Sequence, residues 1–494
     1  MEQYRTDAFI ARPLHSWLYP LKVAYVPGPA HPLLERVVRG LLERFRQRGH
    51  YVLEEPAPDT EVLLTTARFE EPLSWRQALL FTARRRFRLQ RTPTLFTLVH
   101  ILPDAFQRAM ERLRRALARP APEPADFQFA GLAPQACQVL YEQGKRAGPI
   151  LALERVVQAQ AKSIRSVLVV GDEEVEEAYV FDLAGAHPRL SGAGFSAFCD
   201  ELALRMATYA CTHEVTEHQT IGEPIPREIW DELRTPAAMA RAARELGRRS
   251  FFTDMVRISD LVEVPYIEDA VARQYSEGCF ATWEPALNAL ITTITGSARP
   301  INKDEITEND LAVIVGLRPD GRGALVREVA GKENSPPSSE AVELLLMDRD
   351  LPRIRLGPEW GDWEEVPVAR SKLHGHRGVA AFDPAVVEFV PLDEAYYYFP
   401  VSCATQAQAE GIRRAFARSE ALRRPEDPRQ VVFTILPGHG AVIVEKWAAS
   451  KAPFQLIWEY IDDGRLVIES RIPQGPFRFV PGADGRMYIS AEQF

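Results

Sequence analysis

The chain has 494 residues, a formal net charge of −9, and ordinary globular proportions of hydrophobic (46%) and charged (26%) side chains. This length predicts two to four domains, at roughly 100–200 residues per domain. The acidic balance disfavours nucleic acid as a partner, because phosphate backbones attract basic surfaces. No run reaches the roughly 18 apolar residues of a membrane span.

Residues 1–21 carry four charged side chains and no apolar core of a secretory signal. The five cysteines are widely spaced and include no CxxC pair, which favours reduced thiols over a disulfide framework. We therefore expect a soluble cytoplasmic protein that binds neither nucleic acid nor membrane.

The first part of the chain alternates short apolar runs with amphipathic segments. It predicts strands at 21–26, 51–53, 61–65 and 94–101, and helices at 32–48, 74–86 and 104–119. Such alternation is typical of a parallel sheet covered by helices on both faces. The proline-rich segment 119–125 indicates a linker. We therefore place an N-terminal Rossmann-like α/β domain at residues 1–125.

Residues 126–278 are predicted to form a second Rossmann-like α/β domain. Beyond residue 278 a helix is predicted near 285–295, followed mainly by strands at 311–317, 323–329, 387–390, 396–401, 431–436, 441–445, 454–460 and 465–470. The predicted fold class is therefore α/β, with two Rossmann-like α/β domains followed by a β-rich, barrel-like C-terminal domain at 279–494.

Several familiar catalytic motifs are absent. The sequence contains no GxGxxG or GxxxxGK[ST] phosphate loop and no GxSxG nucleophile elbow. His213 and His218 are five residues apart, whereas a helical zinc pair needs four. A polar helix end is the better interpretation of that segment.

One candidate site lies at residues 279–285. This apolar strand ends in the carboxylate of Glu284, and Pro285 suits the first position of a helix. Ligand sites in α/β proteins favour such strand-to-helix corners. The alternative is an exposed carboxylate that the helix dipole stabilises.

A second candidate is His439, which stands between Gly438 and Gly440 in a tight turn between two apolar strands. Flanking glycines leave open space around the imidazole for a metal or a ligand, although a simple hairpin tip has the same pattern. His374-Gly375-His376 gives a similar but weaker signal.

Together these segments resemble the C-terminal half of the L-fucose isomerase and L-arabinose isomerase superfamily. In fucose isomerases a strand ends ATEND and is followed by SLNG and a helix ending LTG. Residues 281–289 here read ATWEPALNA, and residues 294–296 read ITG. A late GANHGA segment supplies a metal-binding histidine in that family, and residues 436–441 here read LPGHGA.

The resemblance implies an aldose–ketose isomerase of carbohydrate metabolism. His439, Glu284 and Glu263 would bind Mn²⁺ (or Mg²⁺), and Glu263 and Glu284 would be the catalytic carboxylates, with Asp260 or Glu268 as alternatives to Glu263. The cation would polarise the carbonyl of an open-chain sugar and stabilise an ene-diolate intermediate. The resemblance also implies a small-molecule sugar substrate and a homo-oligomer.

Two differences from the sequence pattern of that family favour other interpretations of the function. Pro285 stands where the family has its ligating Asp, and Trp283 stands where it has the neighbouring Glu. Glu277 is separated from Glu284 by seven residues of strand, roughly 23 Å at about 3.3 Å per residue, so we do not expect it to join the site. The alternatives are a non-catalytic carbohydrate-binding relative that has lost the metal triad, or a different metal-dependent reaction on the same scaffold.

Overall fold

The computed structural model describes residues 18–82, 93–182, 189–213, 216–253, 256, 258–263, 276–296, 302–332, 335–399, 401, 403–473 and 475–490. Within these ranges, helices combine with parallel and antiparallel sheets, which confirms the α/β class. None of the helices in these ranges is both long enough and apolar enough to span a bilayer.

Within the described residues, the first sheet has seven strands in the spatial order β2-β1-β3-β4-β5-β6-β7. They are β1 Lys22–Tyr25, β2 Tyr51–Leu53, β3 Val62–Arg68, β4 Thr94–Ile101, β5 Ser166–Gly171, β6 Val175–Phe181 and β7 Leu190–Ser191. Strands β1 to β5 run parallel, whereas β6 and β7 pair antiparallel. The helices of this region are Pro32–Gln47, Trp75–Thr82, Pro103–Ala118, Ala136–Ala147, Pro149–Ala161 and Phe195–Thr212.

Helices cover both faces of this sheet, which explains why its strands are apolar on both sides. Six of the seven residues of β3 are buried. One core lies against helices Pro32–Gln47 and Phe195–Thr212, and the other against Pro103–Ala118 and Pro149–Ala161. Parallel strands buried in this way have nearly continuous hydrophobic sequences.

The domain boundary predicted between residues 125 and 126 is wrong. β4 and β5 lie on either side of it in sequence and pair in parallel from Thr97–Ser166 to Ile101–Val170. The proline-rich segment leads into a 3-10 helix, Pro124–Phe127, within this crossover. One sheet therefore spans residues 22–191, and a second separate Rossmann-like domain does not begin at residue 126.

In the part of the chain that the structure describes, the second sheet has nine strands in the order β17-β18-β19-β15-β9-β10-β11-β12-β8. They are β8 Gln219–Thr220, β9 Cys279–Glu284, β10 Ala289–Thr293, β11 Leu311–Leu317, β12 Ala324–Arg327, β15 Ala369–Gly375, β17 Val387–Phe389, β18 Val431–Leu436 and β19 Gly440–Lys446. Because β8 pairs with β12, this sheet begins well before the predicted boundary at residue 278. The region is β-rich as predicted, whereas its barrel-like closure stays a prediction.

Two smaller sheets and several helices complete this region. The strands are β13 Arg353–Ile354 with β14 Val366–Pro367, and β16 Gly378–Phe382 with β20 Leu466–Glu469, β21 Phe479–Pro481 and β22 Met487–Ile489. The helices of this region are Arg227–Glu232, Arg234–Arg248, Ala341–Leu346, Gln406–Ala417, Glu420–Arg423 and Gln455–Asp462, whereas the short helix Ile258–Leu261 packs against helices Ala136–Ala147 and Pro149–Ala161. Short 3-10 helices occur at Pro285–Leu287, Lys303–Glu305, Met347–Asp350, Pro358–Trp360 and Glu394–Tyr397.

The helix predicted at 285–295 is wrong. After the turn Pro285–Leu287, Asn288 adopts left-handed backbone angles (φ 45°, ψ 49°), and the chain returns as β10 antiparallel to β9. The β-branched run Ile291-Thr292-Thr293 suits a strand. Conversely, the apolar run predicted as a strand at 454–460 forms helix Gln455–Asp462, because short apolar runs do not distinguish the two states. The predicted strand 396–401 overlaps the 3-10 helix Glu394–Tyr397.

Candidate metal centre

Four buried side chains converge beside the nine-stranded sheet: Glu340, His374, His376 and His439. One ligand atom of each lies within 4.8 Å of all the others. The Glu340 Oε1 atom is 3.3 Å from His374 Nε2 and 3.8 Å from both His376 Nε2 and His439 Nε2. The Nε2 atoms of His376 and His439 are 3.1 Å apart.

These separations fit a shared metal ion. Ligand atoms about 2.0–2.2 Å from one ion lie about 3–4 Å from each other. The Nε2 atom of His374 is buried, and it lies 3.3 Å from Glu340 Oε1 without the geometry of a hydrogen bond. Burying a polar nitrogen without a hydrogen bond is costly, and a cation at the centre of the cluster would satisfy this one. The donor set is therefore suited to a divalent metal.

Strand register brings the three histidines together. His374 belongs to β15 and His376 follows its last residue, whereas His439 immediately precedes β19. These two strands pair antiparallel, with Gly375 opposite Ala441. A Cβ atom on Gly440 would overlap the carbonyl oxygen of Gly375. Glycine at position 440 thus permits the close approach that places His439 beside His376.

Glu340 reaches the cluster from the residue before helix Ala341–Leu346. Burial opposes its ionisation, but the neighbouring imidazoles, His374 foremost, hold the pKa of Glu340 well below its usual range. Burial also lowers the pKa of His439 to about 4, and the charge of His376 acts in the same direction. Ionised carboxylate and neutral imidazole are the forms that bind metal.

Outer partners orient two of the imidazoles. His376 Nδ1 lies 2.7 Å from Glu277 Oε2, and Arg146 Nη1 lies 3.6 Å from the same oxygen. Burial opposes the charged forms of this pair, but their mutual attraction lowers the pKa of Glu277 to about 2 and raises the pKa of His376 to about 9. The Gln408 amide lies 3.2 Å from His439 Nδ1. Such partners fix which ring nitrogen faces a metal.

Two protonatable groups stand next to the cluster. The Cys403 Sγ atom is 3.5 Å from Glu340 Oε1 and 3.6 Å from His439 Nε2. Glu343 is fully buried, one turn beyond Glu340, and neither of its oxygens makes a hydrogen bond. Burial, together with the negative charge of Glu340, raises the pKa of Glu343 well above its usual range. The centre thus has beside it a carboxyl group that holds its proton more tightly than usual.

The structure does not assemble the predicted triad, and of its three residues only His439 belongs to the cluster. Glu284 ends β9, whereas the start of β9 faces the cluster, because Cys279 pairs with His374. Five residues of strand, at about 3.3 Å each, put Glu284 roughly 16 Å further along. Its carboxylate accepts a hydrogen bond from Ala286 N (2.9 Å) instead. Glu263 is exposed, and its carbonyl oxygen accepts a bond from Trp75 Nε1.

Among the described residues, the other carboxylates named in the sequence analysis do not belong to the cluster either. Asp260 lines a separate cavity near Arg146, and Glu268 lies outside the described residues. His218 Nδ1 accepts a hydrogen bond from Ala324 N and takes no part in the cluster. Glu277 is not expected at the site because seven residues of strand separate it from Glu284, but the centre lies at the Cys279 end of β9, where Glu277 contacts His376.

Comparison with protein-family models, curated proteins and solved structures gives no match for this chain.

The chemistry of the four ligand side chains limits which metal ion suits the cluster. Imidazole suits transition metals, and carboxylate is compatible with Mn²⁺, whereas Mg²⁺ prefers oxygen ligands and retained water. Because three of the four ligands are imidazoles, Mn²⁺ suits the site better than Mg²⁺, the other predicted ion.

Proposed function

We propose that this protein is a divalent-metal enzyme that interconverts an aldose and a ketose, with Mn²⁺ as the ion. The convergence of Glu340, His374, His376 and His439 carries the metal part of the proposal. The resemblance of the segment around His439 to the fucose isomerases supports the reaction, as does the buried carboxyl of Glu343 beside the ligands. The homo-oligomer and the cytoplasmic location belong to the same proposal.

The surrounding residues fit the proton transfers of this reaction. A bound divalent cation would polarise the sugar carbonyl and stabilise negative charge on its oxygens. Conversion of an aldose to a ketose removes a proton from C2 and adds one to C1, and it moves the hydroxyl proton from O2 to O1. The buried Glu343 would carry the carbon-bound proton, because the charge of a bound cation would favour its carboxylate form, and only that form can accept a proton from carbon.

The main alternative remains a carbohydrate-binding protein without catalysis. Its support was the loss of the family's ligating Asp at position 285, but four other residues here form a suitable donor set. The alternative requires sugar binding without turnover. The two proposals therefore differ in whether the bound sugar is converted.

Metal analysis combined with a sugar panel tests the proposal. The purified chain should hold one tightly bound divalent ion, and with Mn²⁺ it should interconvert at least one aldose–ketose pair among pentoses and deoxyhexoses. His374→Asn should abolish both properties, whereas His100→Asn, a buried histidine of the first sheet, should retain them. A metal-free wild-type protein, or a metal-loaded one that turns over no sugar, would overturn the assignment.

A further inference from the structure

A cavity of about 300 Å³ lies next to Arg146, the residue that pairs with Glu277. Its wall includes helix Ala136–Ala147 of the first sheet and residues that flank the second. The polar side chains that line it include Gln143, Arg146, Thr253, Arg377 and Ser470, together with the carboxylates of Glu142 and Asp260. Two guanidinium groups therefore line one cavity.

Each guanidinium group has at least one buried nitrogen without a hydrogen-bond acceptor. Arg146 is only 5% exposed, and its Nε and Nη1 atoms make no hydrogen bond. The Nε atom of Arg377 is also buried and without a partner. Glu277 lies 3.6 Å from Arg146, but its carboxylate is already bound to His376 at 2.7 Å. Buried cations without enough acceptors are unfavourable, and an anion in the cavity would supply the acceptors.

We propose that this cavity binds the phosphate or carboxylate group of a small molecule, with Arg146 and Arg377 as the charged ligands. A guanidinium group presents paired N–H donors that match the oxygens of both anions. Gln143 and Ser470 add neutral donors, whereas the Thr253 hydroxyl already donates to Glu277 Oε2 (3.2 Å), and the carboxylate of Asp260 can accept from hydroxyl groups. The predicted ligand is therefore an anion that also carries hydroxyl groups.

The carboxylate of Glu277 lies between the cavity residue Arg146 and the metal centre. Arg146 contacts Glu277, and Glu277 contacts His376, which is one of the proposed metal ligands. If the proposed function holds, the substrate is a sugar phosphate or a sugar acid whose anionic end is held here. This last step rests on the proposed function, whereas anion binding itself does not.

Calorimetric titration of the full-length protein with inorganic phosphate, and separately with glycolate, tests the proposal. At least one of the two should bind the wild type, and the stronger one identifies the class of anion. Arg146→Gln and Arg377→Gln should each weaken binding roughly tenfold or more, because each removes a charged hydrogen-bond donor. Lys145→Gln, at an exposed cation of the same cavity, should change it less than twofold.

Arg377→Gln is the decisive variant, because Arg146→Gln also removes the partner of Glu277. Failure of both anions to bind the wild type, or equal binding by Arg377→Gln, would overturn the inference. Metal content measured on the same samples separates the two proposals. Anion binding by a protein that holds no metal would refute the proposed function alone, and a metal-loaded protein that ignores both anions would refute the anion site alone.

Discussion

The Glu277 carboxylate lies 2.7 Å from Nδ1 of His376, on the side of the ring opposite to the nitrogen that faces Glu340 and His439. A carboxylate in this position holds the imidazole in the orientation that binds metal and increases its basicity. Glu277→Gln keeps the size of the side chain but removes its charge. We expect the metal affinity to fall roughly 10- to 100-fold, as measured by competition with a chelator.

Glu388→Gln provides the control for this measurement. Glu388 is a partly buried carboxylate of β17 that accepts a hydrogen bond from Ala421 N, and it is not among the cluster residues. Its loss should leave the metal affinity unchanged. An unaltered affinity in Glu277→Gln would contradict the positioning role of Glu277.

The sequence predicted part of this centre because His439 has a local signal and Glu340 has none. Glycines on both sides of His439, between two apolar runs, mark a turn with open space. Glu340 follows two serines in an unremarkable polar loop, and only the folded chain brings it to β15. The sequence points to Glu284 because it predicts a helix after β9, whereas a hairpin follows.

In the fold too, the features that depend on neighbouring residues were predictable, whereas the pairings of strands distant in sequence were not. The pattern of alternating runs predicted the parallel strands and their helices, since each depends on neighbouring residues. It did not predict that β4 and β5 pair across residues 119–125, because a crossover rich in proline has the composition of a linker. Pairings between distant strands likewise position His374 and His439.

Gly440→Ala tests the close approach of β15 and β19. The added methyl group would overlap the carbonyl oxygen of Gly375, so the strands must separate or the turn at His439 must shift. We expect a loss of about 1–3 kcal/mol in the free energy of unfolding, together with weaker metal binding. Urea denaturation and metal analysis measure the two effects.

The matched substitution is Gly316→Ala in the same sheet. A Cβ atom there would meet Leu325 Cδ1 at 3.6 Å, an ordinary contact. Its stability and metal content should remain close to those of the wild type. Equal behaviour of the two alanine variants would refute the steric argument for Gly440.

Glu343→Gln separates proton transfer from metal binding. The amide fills the same buried space but cannot exchange the proton that the reaction requires. We expect kcat to fall roughly 10²- to 10⁴-fold while the metal content stays at the wild-type level. Glu410→Gln, at a partly buried carboxylate of helix Gln406–Ala417, should retain activity. Full activity in Glu343→Gln would exclude Glu343 as the proton carrier.

Glu154 gives the protein a stability that depends on pH. It lies fully buried in helix Pro149–Ala161, where its Oε1 atom accepts hydrogen bonds from Arg155 Nη1 (2.9 Å) and Gln158 Nε2 (3.1 Å). Its Oε2 atom makes no hydrogen bond. Burial raises the pKa of Glu154 from 4.5 to about 8, although Arg155 opposes the shift. The neutral form is therefore the one that the folded state prefers.

The sign of the pH dependence follows from this raised pKa. The folded protein binds the Glu154 proton more tightly than the unfolded chain does, so the contribution to stability is complete below pH 4.5 and is lost as the pH rises through about 8. Glu154→Gln keeps the Oε1 acceptor but cannot ionise. Relative to the wild type, it should gain at most about 1.4 kcal/mol per pH unit across that window and no more above it.

Urea denaturation at pH 5.5 and pH 8.5 measures this difference. The exposed Glu142, on the neighbouring helix Ala136–Ala147, serves as the control, because Glu142→Gln should shift stability equally at both pH values. An equal shift at both pH values in Glu154→Gln would mean that Glu154 is already ionised in the folded protein at pH 5.5. Arg155 would then compensate the buried charge fully, and the helix would contain an ion pair instead of a protonated carboxyl group.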